Sequence, residues 1–187
     1  QGAQVEVPDK WLADGYPWEI ERPERYAIQF YGGVESVRDE NGRDINRWIN
    51  SNNVIAIPYD IPIPGFLNGT VNTLRLWSAK SDDDFRLQIF NNGDYVNAYT
   101  DKINDENITK ILYPNDNVYQ GQELRLKQEY FFTSASLQDI LRRFKESPDH
   151  NWKNLPDKIV IQLNDTHPAI AIPELLRLLI DVEGLVF

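Results

Sequence analysis

The sequence predicts an α/β fold on the basis of three observations. Residues 158–163 are apolar apart from Lys158 and Gln162 and rich in β-branched side chains, which indicates a buried strand in a sheet covered on both faces. Turn formers at 164–167 then end the strand, and apolar residues recur at helical spacing from Leu175 to Val182. Earlier stretches alternate apolar and polar residues, as strands do. In open α/β sheets, ligands bind at the carboxyl ends of such strands.

Composition limits the classes of function that this chain can have. A length of 187 residues indicates one domain or part of one. The net charge of −10 repels nucleic acids and anionic membranes, so we expect neither as a partner. Apolar runs stay well short of the roughly 18 residues that span a bilayer. Asn-x-Thr sequons occur, but one lies in the loop at 164–166, where a glycan would block a binding site. We therefore expect a cytoplasmic protein.

The first half of the chain predicts β-structure. Residues 26–37 alternate in polarity up to a double glycine at 32–33, as in a strand with a bulge or bend. A polar turn at 39–44 leads to a second strand at 48–57, which predicts an antiparallel hairpin. Residues 60–65 contain too much proline for a central strand, and 70–77 predict the next strand.

From Tyr95 the apolar period becomes helical, which predicts a helix over 95–111. One side of this helix carries a partly aromatic stripe, and its members are Tyr95, Tyr99, Ile103, Ile108 and Ile111. The residues alone leave two interpretations open: the stripe packs on its own domain, or it contacts a partner subunit.

Residues 114–121 form a loop by composition, and the following segment is ambiguous. Residues 123–132 alternate like a strand but contain strong helix formers. The next apolar stripe is helical and consists of Leu137, Ile140, Leu141 and Phe144. Ser136 and Asp139 have the spacing of a capping box, which would begin a new helix there.

Arg142 and Arg143 are predicted to point away from that stripe. They lie about 100° apart around the helix axis, so two guanidiniums could close on one anion. Cations are also favoured near a helix C-terminus whatever their function, so a simple helix-end role stays open.

The loop after the strand at 158–163 carries Asp165 and His167, one of two histidines. Either these side chains satisfy the loop and pack, or they form hydrogen bonds to a hydroxylated ligand. The sequence offers no recognisable nucleophile–base pair, Cys/His metal set or glycine-rich phosphate loop. Three consecutive aspartates at 82–84 point in different directions, so we expect no metal site.

Six blocks of sequence together resemble the α-glucan (glycogen) phosphorylases, in that family's order and over almost the whole chain. The blocks are GYPWEIERPE (15–24), YDIPIPGF (59–66), VNTLRLWSAK (71–80), LYPNDN with GQELRLKQEYFF (112–132), LQDILRRFK (137–145) and IQLNDTHPAIAIPELLR (161–177). The resemblance implies that residues 1–187 are a single incomplete domain, the inner part of the N-terminal domain of a longer protein. It implies a Rossmann-like mixed sheet with flanking helices, within a two-domain fold of glycosyltransferase-B type. It also implies one long helix from about Glu123 to Lys145.

The resemblance implies an activity as well. Phosphorylases cleave terminal α-1,4-glucosyl units of a glucan with inorganic phosphate, giving glucose 1-phosphate, and they use pyridoxal phosphate. The lysine that attaches this cofactor is expected outside this chain, so the isolated chain is predicted to be inactive. The chain would supply one wall of the sugar pocket through Asn117, in a gate loop at 114–121, and through Asp165 and His167. None of the three is expected to act as a general acid or base.

Assembly and regulation are implied by the same resemblance. The helix at 95–111 matches the helix through which phosphorylase subunits meet in a homodimer, so Tyr95, Tyr99 and Ile103 are expected in a subunit contact. Arg142 and Arg143 match a pair that holds the phosphate of AMP or glucose 6-phosphate, which are allosteric effectors. The alternative is a non-catalytic sugar-binding or regulatory α/β module on the same scaffold. The intact Asn-Asp-Thr-His-Pro loop favours the enzyme.

Overall fold

A computed structural model describes residues 2, 16–30, 32–82, 95–111 and 114–186, with the backbone only at 95–99 and 101. The strands are β1 (Ile20–Glu21), β2 (Tyr26–Phe30), β3 (Gly33–Arg38), β4 (Asp44–Ile49), β5 (Asn52–Pro64) and β6 (Val71–Ser81). The helices are α1 (Tyr95–Lys110), α2 (Tyr119–Glu146), α3 (Leu155–Lys158) and α4 (Ala171–Arg177). The predicted α/β class is confirmed. Within the described ranges, no helix combines the length and apolar character needed to cross a membrane.

Four strands form an antiparallel sheet with β5 at its centre. β1 and β2 pair along one side of β5, and β6 pairs along the other. β3 and β4 form a separate two-stranded sheet. The predicted antiparallel hairpin is confirmed, although each of its arms is divided into two strands. The first arm forms β2 and β3, the second forms β4 and β5, and the pairs are β2 with β5 and β3 with β4. Every strand pair among the described residues is antiparallel, so the parallel pairs of a mixed sheet do not occur in this part of the fold.

The expectation that residues 60–65 are too rich in proline for a central strand is wrong, because β5 continues through Pro64. The carbonyl of Pro58 accepts a hydrogen bond from the backbone N–H of Arg22 at 2.9 Å. The backbone nitrogen and carbonyl of Pro58 therefore point toward β1 and not toward β6. Pro62 and Pro64 share this orientation but lie beyond the end of β1. Among the described residues no strand pairs with that side of Pro62 and Pro64, so their missing N–H groups interrupt no described ladder, and the ladder to β6 is intact.

The long helix is confirmed as α2, which runs for 28 residues. Ser136 lies inside it, where its hydroxyl donates to the carbonyl of Phe132 at 2.7 Å and accepts from Trp77 Nε1 at 3.0 Å. The capping-box interpretation is therefore wrong. The helix begins at Tyr119, within the predicted gate loop. A Cβ on Gly121 would overlap the Asn115 carbonyl oxygen, so the loop lies directly against the first turn.

Buried side chains form two clusters along α2, and the helix thereby joins the sheet to the C-terminal segment. The first cluster fills the space between α2 and the sheet and contains Tyr26, Ile28, Phe30, Val54, Ala56, Trp77, Ala79, Ile108, Phe131 and Ala135. The second lies between α2 and α4 and contains Leu137, Leu141, Ala171, Leu178 and Leu179. Full burial of one such large apolar side chain contributes about 1.5–3 kcal/mol to stability.

The predicted buried strand at 158–163 is wrong for this structure. Residues 159–163 have no regular secondary structure, and Val160 is 94% exposed. An extended segment becomes a strand only when its N–H and C=O groups meet a neighbouring strand. None of the described strands pairs with this segment. Ile159 has an extended backbone, with φ −128° and ψ 131°, but a pairing partner for the segment is absent from the described residues.

Helical winding after the polar loop starts earlier than predicted. A 3₁₀ turn covers His167–Ile170, so Pro173 is the third residue of α4 and not the first residue of the helix. A π-type turn, Leu178–Val182, continues α4. Gly184 adopts a φ of 69°, and the N–H of Leu185 donates to the Leu179 carbonyl at 2.9 Å. The predicted glycine C-cap is confirmed.

Candidate functional site

A buried carboxylate, Asp139 on α2, is surrounded by donors from three elements of the fold. Its side chain is 2% exposed. Oδ1 accepts from the Tyr26 hydroxyl on β2 at 2.6 Å and from Arg75 Nη1 on β6 at 2.7 Å. Arg142 Nη2 reaches the same oxygen at 3.2 Å, and Arg143 Nε lies 3.0 Å from Oδ2. Three guanidiniums and one phenol therefore converge on a single carboxylate.

A second carboxylate, Asp60 on β5, extends this group of charges. Arg75 forms a bidentate pair with Asp60, at 2.7 Å from Nε to Oδ1 and 2.9 Å from Nη2 to Oδ2. Arg22 Nε lies 2.9 Å from Asp60 Oδ2. The hydrogen bonds from Arg75 hold the pKa of Asp60 below its ordinary value, despite the opposing effect of burial. Arg75 thus bridges Asp60 in the sheet and Asp139 in α2.

The protonation states of this cluster follow from its contacts. Burial by itself would raise the pKa of Asp139, but the hydrogen bond from Tyr26 and the charges of Arg143 and Arg75 outweigh burial and lower it. Burial, together with the hydrogen bond to Asp139, raises the pKa of Tyr26 to about 12. At pH 7 Asp139 is therefore ionised, and Tyr26 is a neutral donor.

The prediction that Arg142 and Arg143 both point away from the core is wrong for Arg142. Its Nε donates to the Tyr26 hydroxyl at 2.7 Å, and its Nη1 donates to Glu146 at 2.7 Å. Arg143 is 61% exposed and touches Asp139 through Nε. The physical reason is the position of Asp139, which lies three and four residues before the two arginines and so attracts both.

Asp165 and His167 lie where the sequence predicts them, on the exposed loop before α4. Asp165 adopts a φ of 64°, and its Oδ1 accepts from the N–H of Thr166 at 2.5 Å. This backbone hydrogen bond lowers the pKa of Asp165. His167 Nδ1 lies 3.2 Å from Glu129 Oε1 on α2. The loop therefore presents an ionised carboxylate and an oriented imidazole to solvent.

Asn117 lies on a different loop, before the start of α2. Its backbone N–H donates to Asn115 Oδ1 at 3.0 Å, and its side chain is exposed. The neighbouring Asp116 holds this loop to α2 through an ion pair with Arg125 at 2.9 Å. The loop conformation is thus set by residues on both sides of Asn117.

One groove on α2 connects the two loops. It has a volume of about 230 Å³ and is lined by Arg125, Gln128, Glu129, Phe132, Thr133, His167 and Pro168. Arg125 binds the loop of Asn117 at one end, and His167 stands at the other. The structure brings His167 to this groove but does not place Asn117 or Asp165 in its lining.

The predicted subunit-contact stripe on α1 is only partly described. The side chains of Tyr95 and Tyr99 lie outside the described residues. Ile103 is 39% exposed, whereas Ile108 is buried in the first core cluster. The two isoleucines do not share one side, because five residues turn a helix by about 140°. Ile103, at 39% exposure, and Ile111, at 49% and just past the end of α1, are therefore the members of the stripe among the described side chains that stay exposed.

The cluster of Asp139, Tyr26 and Arg75 was not predicted from the sequence. Asp139 resembled a capping residue, and Tyr26 lies 113 positions away from it. A usable signal was Arg75, a charged side chain on the buried face of β6, two positions before Trp77. A charge on an apolar face requires a partner, although the pattern does not say which one.

A larger cavity of about 520 Å³ also went unpredicted. Arg177 lies 4.4 Å from the centroid of the Trp48 ring and forms two hydrogen bonds with Glu174, at 2.7 and 2.8 Å. The lining consists of Gln29, Phe30, Trp48, Glu123, Leu126, Lys127, Tyr130, Ile170, Pro173, Glu174 and Arg177. This cavity lies between the sheet region and the helices, away from the cluster around Asp139.

Comparison with known proteins relates the whole chain to one family. Residues 1–187 match the family described as carbohydrate phosphorylase. The chain is 54% identical over 190 residues to the brain form of glycogen phosphorylase of Homo sapiens, covering 97% of this chain and 22% of that protein. It is 52% identical over 192 residues to the liver form of Ovis aries, covering 98% and 22%. The chain therefore spans about a fifth of the length of the curated relatives it matches.

The first prediction concerns the charge of Asp139. Asp139→Asn keeps the shape of the side chain but leaves three guanidiniums facing a neutral amide. We expect the free energy of unfolding to fall by about 3 kcal/mol at pH 7, as when one partner of a buried ion pair is removed. Urea denaturation measures this change. Asp149→Asn is the control, because the Asp149 side chain is 67% exposed. This variant should unfold at nearly the same urea concentration as wild type.

The pH dependence of this effect has a defined sign. The pKa of Asp139 is lower in the folded state than its ordinary value of 3.8. Its ionisation therefore stabilises the fold above that value, and the contribution is lost as the pH falls through the folded-state pKa. The stability difference between wild type and Asp139→Asn should shrink below about pH 4. A difference that stays constant down to pH 2 would contradict the assigned charge state.

Proposed function

This chain belongs to the carbohydrate phosphorylase family, and from that premise we propose that it is part of an α-glucan phosphorylase. The observation that supports this most strongly is the 54% identity, over 97% of the chain, to a glycogen phosphorylase. The proposed reaction is the phosphorolysis of terminal α-1,4-glucosyl units by inorganic phosphate, giving glucose 1-phosphate. We assign to this chain a sugar-binding wall, part of an effector site and a subunit contact.

The sugar-binding wall consists of Asn117, Asp165 and His167. Asp165 is ionised and can accept hydrogen bonds from sugar hydroxyls, since its pKa is lowered. Glu129 favours a proton on Nδ1 of His167, which leaves Nε2 free to accept in the neutral ring and to donate in the charged ring. Such groups accelerate a reaction when they bind the distorted transition-state sugar more tightly than the substrate. We assign neither residue as a general acid or base.

Pyridoxal phosphate is proposed to serve the complete enzyme from outside this chain, where its phosphate group would transfer protons. Burial lowers the pKa of Lys127, the property expected of a lysine that forms a Schiff base. However, Lys127 is ion-paired with Glu123 at 2.8 Å and adjoins the cavity around Trp48 and Tyr130. A cofactor phosphate needs several converging donors, so the surroundings of Lys127 do not fit this cofactor. The chain's own residues then bind and orient the sugar.

Arg142 and Arg143 are proposed to bind the phosphate of an allosteric effector, AMP or glucose 6-phosphate. Arg143 supports this proposal by its 61% exposure and by its single contact, through Nε, with Asp139. Its terminal nitrogens have no protein partner within the described ranges. Arg142 lies beside it and reaches solvent at Glu146. Asp139 holds both guanidiniums in place, which reduces the ordering cost of binding.

The helix α1 is proposed to form a subunit contact in a cytoplasmic homodimer. Ile103 supports this proposal, because it is a large apolar side chain at 39% exposure on the side of α1 away from the core. Tyr95 and Tyr99 are assigned to the same contact from the sequence alone. Burial of such a stripe against a second copy would remove apolar surface from water.

In the complete enzyme, Asp165→Asn and His167→Ala should each lower kcat/KM about 100-fold, or about 2.7 kcal/mol of transition-state stabilisation. Steady-state phosphorolysis of glycogen measures this. His150→Ala is the matched control, because His150 is also exposed but lies near the end of α2, beside the Ser147 carbonyl. Wild-type turnover in both variants would restore the interpretation of 164–167 as an ordinary loop.

The effector proposal predicts a graded loss of binding. Arg143→Ala should weaken binding of glucose 6-phosphate about tenfold, the effect of one charged hydrogen bond. Replacing Arg142 as well should raise the loss to at least about 100-fold. Calorimetric titration measures both, with Arg38→Ala as a control at an arginine that is 71% exposed and paired with Asp44. If the single and double variants bind as tightly as wild type, the arginines are structural.

A charge on α1 should open the proposed dimer. Ile103→Glu would bury a carboxylate in the contact at a cost of several kcal/mol. Static light scattering should then report monomers where the wild-type enzyme forms dimers. Lys102→Glu is the control, because Lys102 directly precedes Ile103 and its side chain is also exposed. A dimer mass that survives Ile103→Glu would remove this helix from the interface.

A further inference from the structure

We propose that Glu146 is a built-in competitor for phosphate at Arg142, so that an effector must displace this carboxylate to bind. The inference rests on the proposed effector site at Arg142 and Arg143. Its basis is one contact, in which Arg142 Nη1 donates to Glu146 Oε2 at 2.7 Å. The two residues lie four positions apart on α2, so the contact forms within the helix and needs no other element.

Arg142 has no unused edge to offer a ligand. Its Nε donates to Tyr26 at 2.7 Å, and its Nη2 lies 3.2 Å from Asp139 and 3.6 Å from Glu24. Its Nη1 is occupied by Glu146. An arginine binds phosphate best through two parallel N–H groups of its planar fork. A phosphate can therefore gain this geometry at Arg142 only by replacing an existing acceptor.

Exposure identifies the acceptor that leaves first. The Asp139 side chain is 2% exposed and that of Glu24 is 26% exposed, whereas that of Glu146 is 63% exposed. An exposed ion pair contributes little stability, because water solvates both partners when they separate. Breaking a buried pair leaves an uncompensated charge and costs far more. Glu146 can therefore move away from Arg142 without disturbing the core, and the other acceptors cannot.

The charge balance of the cluster around Asp139 also identifies Glu146 as the competing acceptor. Its cations are Arg22, Arg75, Arg142 and Arg143, and its anions are Glu24, Asp60, Asp139 and Glu146. The four positive and four negative charges cancel, so the closed cluster does not attract an anion. Once Glu146 moves away, one positive charge is uncompensated at Arg142. A phosphate could then bridge Arg142 Nη1 and the exposed edge of Arg143.

The proposal predicts a gain of affinity in the complete phosphorylase. Glu146→Gln keeps the side-chain length and removes the competing charge. We expect glucose 6-phosphate and AMP each to bind about tenfold more tightly than to wild type, equivalent to about 1.4 kcal/mol. Calorimetric titration at fixed ionic strength measures both ligands. Binding to Glu146→Gln with none detectable to wild type would support the proposal still more strongly.

Asp149→Asn is the matched control. It changes the net charge equally and is 67% exposed, but Asp149 pairs with Lys158 and touches neither arginine. Its affinity for both ligands should stay within about twofold of wild type, since a distant surface charge is screened by salt. Equal tightening in the two variants would overturn the proposed contact and indicate a general charge effect.

The double alanine variant of Arg142 and Arg143 distinguishes failure of the competitor role of Glu146 from failure of the effector site itself. If that variant loses binding while Glu146→Gln binds as wild type does, the competitor role is overturned and the effector site is kept. If all variants bind equally, or none binds either ligand, both the effector site and the competitor role are overturned.

Discussion

The ion cluster around Asp139 is the interaction on which the described fold depends most. It ties β2, β6 and α2 together through Tyr26, Arg75 and Asp139, and each of these groups is costly to separate from the others. Apolar packing around Phe131 and Ile28 holds the same elements in contact but fixes no register. The cluster sets the register, because bidentate and charged hydrogen bonds tolerate little displacement. The sheet and the long helix therefore meet in one arrangement.

The helix α2 contributes residues to both proposed sites, the sugar-binding wall and the effector site, at different positions along its length. Glu129 orients His167, and Arg142 belongs to the Asp139 cluster. Thirteen residues separate Glu129 from Arg142, which is about 20 Å along an α-helix. A helix packed on both the sheet and α4 moves as a body, so a shift at the cluster would be transmitted to the loop of His167 without intermediate side chains. If the two proposals hold, this arrangement gives a physical basis for communication between the proposed effector site and the proposed sugar-binding wall.

The elements whose signals are local could be predicted from the sequence. The helical period predicted α1 and the second half of α2, and Gly184 predicted the end of the last helix, whereas the full length of α2 came only from the family resemblance. The errors arose where the outcome depends on distant residues. Residues 159–163 have a strand pattern but lack a neighbouring strand among the described residues, so Val160 stays exposed. The contact of Tyr26 with Asp139 joins positions 113 apart, and no local pattern encodes it. Loop positions such as Asp165 were predicted, but their hydrogen bonds were not.

Two interpretations of Arg142 and Arg143 from the sequence, helix-end charges or a phosphate site, turn out not to exclude one another. Asp139 holds both guanidiniums close together against their mutual repulsion, and it does so from inside the core. That structural role favours the proposed phosphate site, because side chains already fixed lose less entropy on binding. The same carboxylate also reduces the attraction for an anion, and Glu146 reduces it further at Arg142. Affinity is then set by the number of acceptors that a ligand must displace, which favours ligands that make contacts beyond the phosphate itself.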